Sequence, residues 1–131
     1  MRRALPGLAV VLTIAVSAAD PTPKARFDAA LVEAKANLST PAGKAYDVAI
    51  AKHFEAQFGP VLSRCFETTP KPDASSFEMV FVLASDGKAR DILVWPETNI
   101  AKCFTTQLGP ASLPVPPKDG YLAYMEMRIA P

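Results

Sequence analysis

The sequence predicts an α+β domain: N-terminal helices followed by a ββαβ unit whose three strands form an antiparallel sheet of order 2-1-3, with the helices packed on one face and one disulfide. Three observations carry this reading. Phe77 to Trp95 holds two alternating apolar segments around Ser85-Asp86-Gly87-Lys88, the pattern of a β-hairpin. Segments of helical spacing flank the hairpin, and each carries one of the chain's two cysteines, Cys65 and Cys103. A last alternating segment, Tyr121 to Ile129, follows a proline-rich connection.

The first 19 residues read as a secretory signal. Met1-Arg2-Arg3 is a positive start, Leu8 to Val16 an apolar run, and Val16-Ser17-Ala18-Ala19 a small-residue cleavage position. The run is bounded by Pro6-Gly7 and Asp20-Pro21, short of the roughly 20 apolar residues that a spanning helix needs. No membrane insertion is expected after cleavage, and the mature chain is expected in the periplasm or secreted. Removing Arg2 and Arg3 from 14 basic residues leaves 12 against 13 acidic ones, a formal charge of −1. That balance disfavours nucleic acid and anionic membrane surfaces as partners. In such an oxidising compartment two lone thiols are expected to join, so a Cys65–Cys103 bridge is predicted.

Residues 20–60 read as a helical segment and 61–131 as the α+β module, together one domain. Lys24 to Leu38 places Phe27, Ala30, Leu31 and Ala34 at three- and four-residue steps, an amphipathic helix. Ser39-Thr40-Pro41 breaks it and supplies a hydroxyl cap and an N1 proline for the next. Lys44 to Phe58 repeats the helical spacing, and Gly59-Pro60 is expected to end or kink it. Val61, Leu62, Cys65 and Phe66 form another short apolar face, stopped by Thr69-Pro70-Lys71-Pro72.

Ser76 to Ala84 alternates Phe77, Met79, Phe81 and Leu83 with a second face that still carries Val80 and Val82, so it reads as the central strand. Ala89 to Trp95 returns, and Pro96 stops it. Glu97 to Leu108 is helical, with Ile100, Cys103, Phe104 and Leu108 on one stripe before Gly109-Pro110. A right-handed crossover over this helix leaves room for the first strand between the second and third. The most apolar strand then lands in the centre and Tyr121 to Ile129, with one partly polar face, at an edge.

Candidate chemistry is sparse. His53 is the sole histidine, and Glu55 two residues away points to another side of the helix, so the pair lacks metal-ligand spacing. Ser75-Ser76 and Thr105-Thr106 lie outside any strand-to-helix nucleophile turn, and Asp73, Asp86, Asp91 and Glu97 are scattered around turns. The 37 residues between the cysteines favour a structural bridge over a catalytic thiol pair. Met79, Met125 and Met127 read as core filling. No catalytic residue, metal site or cofactor is expected, and the chain is not expected to be an enzyme.

The order Cys65 helix, strand-turn-strand around Asp86-Gly87-Lys88, Ile100-Ala101-Lys102-Cys103 helix, then Leu113-Pro114-Val115-Pro116 before a last strand, resembles the C-terminal domain of the AgmX/PglI gliding-motility proteins. That domain is similar to the TonB and TolA C-terminal modules. The resemblance covers roughly Val61 to Ile129 and implies a non-enzymatic interaction module of the cell envelope, bridged between Cys65 and Cys103. It further implies capture of an envelope protein or peptide by strand addition along 121–129, with Tyr121, Leu122, Tyr124, Glu126 and Arg128 as the partner-binding residues. A small secreted inhibitor or envelope-stress protein is the alternative. The leader and the lack of a long proline-rich spacer set this chain apart from energy transducers.

Overall fold

The computed structural model describes residues 6–7, 9–15 and 19–130. Met1-Arg2-Arg3 and Val16-Ser17-Ala18 of the expected leader lie outside the described residues. Residues 9–15 are exposed and belong to no helix or strand, and no helix among the described residues is long and apolar enough to cross a membrane.

Helix α1 (Pro23–Leu38) begins where Thr22 accepts the Ala25 N–H at 3.1 Å and Pro23 fills the first turn. Helix α2 (Pro41–Thr68) follows after a two-residue corner. There the Thr40 hydroxyl accepts the Gly43 N–H at 3.0 Å and donates to the Asn37 carbonyl at 2.8 Å. A Cβ at Gly43 would collide with that same carbonyl, so the corner closes only on glycine.

The sequence reads as an end or kink at Gly59-Pro60, yet α2 runs through it as one helix. Pro60 cannot donate to the Ala56 carbonyl, a loss of order 3 kcal/mol in a helix interior. Gly59 lowers the penalty, because without a Cβ it escapes the clash that proline imposes on its predecessor. Packing outweighs what remains: Phe54 and Phe58 before the proline and Cys65 after it are buried in one core.

Strands β1 (Phe77–Leu83), β2 (Ala89–Trp95) and β3 (Tyr121–Met127), with α3 (Asn99–Leu108) between the last two, form an antiparallel sheet of order β2-β1-β3. The hairpin turn has Gly87 at φ 82°, with the Lys88 N–H donating to Asp86 at 2.9 Å. A β-bulge interrupts the β1–β2 register between Val80↔Leu93 and Val82↔Arg90, and Asp91 within it has φ 50°. The extra residue shifts the alternation so that Ala89, Ile92 and Val94 all face one core.

Phe77, Met79, Phe81 and Leu83 of β1 pack with α2 and α3 on that face. Its centre is aromatic: Phe54 lies 4.8 Å from Phe58, Phe58 5.6 Å from Phe104, and Phe104 5.9 Å from Phe77. Cys65 and Cys103 are bonded, with Cα atoms 5.9 Å apart, and join α2 to α3.

The helices do not all share that face. Helix α1 covers the opposite one, where Phe27 and Ala34 are buried with Val80 and pack with Leu93, Trp95, Leu122 and Tyr124. The reason is the second apolar row of the sheet. A central strand with Val80 on its reverse needs cover on both sides, and the stripe Phe27, Ala30, Leu31, Ala34 supplies it.

Candidate functional site: the open end of β3

The two edges of the sheet differ. On β2 the bulge and the exposed Arg90 and Asp91 break the regular row of backbone groups, a device that blunts pairing with another chain. On β3 the seven pairs from Phe77↔Met127 to Leu83↔Tyr121 run without a bulge, so the outer row stays regular.

The direction of that row follows from one contact. The Asn37 side-chain amide donates to the Leu122 carbonyl at 3.0 Å, so Leu122 turns its backbone polar groups away from β1. Backbone groups alternate along an antiparallel strand, hence those of Tyr124 and Glu126 also point outward, while those of Ala123 and Met125 face the ladder. Asn37 therefore closes the start of the edge. Among the described residues, no loop or cap backbone group reaches the main chain of Tyr124 or Glu126.

The five expected partner-binding residues divide accordingly. Tyr121 is buried, its ring edge-on to Tyr46 at 5.4 Å, and belongs to the core. Leu122 is half-buried and carries the capped carbonyl. Tyr124 is half-buried beneath α1, with the Lys35 ammonium 5.6 Å from its ring centroid and its hydroxyl 3.3 Å from Glu78. Burial first, then the Glu78 and Glu126 charges, push its phenol up to about 12. Glu126 is exposed and accepts from the Arg128 guanidinium at 3.0 Å, just past the end of β3.

The structure brings Tyr124, Glu126 and Arg128 together and adds residues that sequence reasoning missed. Ala51, Phe54, Glu55 and Gly59 of α2 face Met125 and Met127 of β3 across a groove of about 500 Å³. Glu126 and Arg128 also line it. Because both faces of the strand contribute, the groove follows the outer edge of β3. Nothing local links α2 to a strand some 70 residues later, so no sequence signal could have marked this wall. A second cavity, of about 270 Å³, lies at the end of the sheet between Glu78, Trp95, Pro96 and Glu126.

His53 is half-buried on α2, its ring 6.4 Å from that of Phe58. Among the described residues no group of three or more His, Cys, Asp or Glu side chains stands together as a metal site. Comparisons with protein-family models, with curated proteins and with solved structures found no match to this chain.

Proposed function

We propose that this protein is a non-enzymatic binding or adaptor domain of the cell envelope that captures an extended peptide segment along β3. The observation that carries the reading is the regular outer row of β3, closed by Asn37 at Leu122 and left uncapped at Tyr124 and Glu126, beside a groove walled by Phe54, Met125 and Met127. An added strand satisfies the outward backbone groups of β3, and its alternate side chains enter the groove. The resemblance to TonB- and TolA-type modules supports the same mode of binding. The bridged cysteines and the leader-like start support an envelope location.

The test is proline substitution at two neighbouring positions. Tyr124→Pro removes an outward N–H, which an edge strand tolerates, whereas Ala123→Pro removes a ladder donor to β1 and is expected to unfold the sheet. Partner capture from envelope extract, with circular dichroism showing the fold intact, should fall at least tenfold for Tyr124→Pro and little for Tyr124→Phe. Undiminished capture by a folded Tyr124→Pro variant would rule strand addition out.

A further inference from the structure

Resting on that reading, we infer that the captured segment carries an arginine or lysine opposite Glu126, received between Glu126, Glu78 and the Trp95 ring. Glu78 and Glu126 are direct register partners across β1 and β3, and like charges set opposite each other on one face of a sheet repel. Glu78 has no ion-pair partner among the described residues. Glu78 accepts the Tyr124 hydroxyl at 3.3 Å, a neutral partner that leaves its charge unbalanced beside Glu126.

The surroundings fit a cation. Trp95 is the register partner of Glu78 on its other side, so the indole and the two carboxylates line one cavity of about 270 Å³. An aromatic face beside carboxylates attracts an ammonium or guanidinium from two directions. Arg128 already places its guanidinium on Glu126, yet its side chain is 83% exposed, so it is loosely held and can give way. Two other cations reach this face from α1: the Lys24 ammonium, which pairs with Asp28, lies 5.4 Å from the Trp95 ring centroid on a half-exposed side chain, so the indole already accepts a cation, and Lys35 stands over Tyr124, two positions along the strand.

Strand geometry sets the reach. A segment added to β3 lies about 5 Å beyond it and therefore roughly 10 Å from β1. A residue paired with Glu126 shares its face, and a long basic side chain laid across β3 meets Glu126 first and Glu78 next. Its sequence neighbours turn to the other face, toward Met125, Met127 and Phe54, where apolar side chains are favoured. The partner is thus an extended segment in which apolar residues flank a basic one.

Trp95 is the only tryptophan of the chain, so its fluorescence reports on the cavity directly. The probes are short capped peptides alternating valine and serine, with the central serine replaced by arginine or by citrulline, its neutral isostere. The arginine peptide should bind about three- to tenfold more tightly and shift the Trp95 emission, a preference that shrinks with salt and vanishes in Glu78→Gln/Glu126→Gln. Equal binding of the two peptides overturns the cation inference and leaves strand capture standing. An arginine preference that survives backbone N-methylation of the peptide keeps the cavity and overturns strand capture. Absence of binding by either peptide overturns both.

Discussion

Tyr46 and Tyr124 are each pushed up to about 12, by burial first and then by neighbouring charge, and Tyr121 is raised for the same reason. These are all three tyrosines of the chain. Because the folded state prefers the neutral phenols, their contribution to stability is complete below pH 10 and declines as pH rises toward 12. A spectroscopic titration of tyrosinate should therefore show the native protein ionising well above the unfolded chain. Half-maximal tyrosinate absorbance near pH 10 while the fold persists would contradict the packing described for these rings. Gly87 is a second residue whose identity is set by its surroundings. Its φ of 82° disfavours any side chain, and a Cβ would meet the Leu113 carbonyl, which lies next to the Leu113 N–H donating to Gly87 at 3.0 Å. Gly87→Ala should lower stability by about 2 kcal/mol or more in urea unfolding.

Among the elements, local pattern and tertiary packing agree at most places and part at two. The alternation of Phe77 to Leu83, the Asp86-Gly87 turn and the threonine cap of α2 were legible because each is a short-range effect. Gly59-Pro60 reads as an end or kink on the same local logic; the helix does not end there, because an aromatic core spanning both sides of it carries the helix on. The placement of α1 was legible as a stripe and not as a destination, since Phe27 and Ala34 show that one side is buried without showing against which face. The bridge between α2 and α3 was expected from two thiols in an oxidising compartment, and it encloses a separation of 38 residues. Mass analysis after alkylation of the non-reduced protein should find no labelled cysteine. Cys103→Ser should reduce unfolding free energy by about 2 to 5 kcal/mol, leaving Cys65 buried and unpaired.

For the molecule as a whole, the plan of the sheet was readable and the shape of its edge was not. Strand order followed from polarity and handedness, both of which operate on entire segments. The edge depends on single contacts between distant residues, above all Asn37 on Leu122, 85 positions apart, and on the groove that α2 forms with Met125 and Met127. Such contacts leave no periodic trace in the chain. One further property arises from where the bridge falls. Cys65 and Cys103 close a covalent ring that holds β1, β2 and the first half of α3, while α1 and β3 lie outside it. Any partial opening that keeps the ring intact can release β3 without parting the hairpin, so the molecule divides into a tethered half and a half free to breathe. Native-state hydrogen exchange should find the ladder amides of Ala123 and Met125 opening below the global free energy. In Cys103→Ser their protection should stay where it was while that of β2 falls, whereas equal losses in both strands would show that the sheet opens only as one unit. The edge proposed to receive a partner belongs to the part of the molecule that the covalent ring leaves outside.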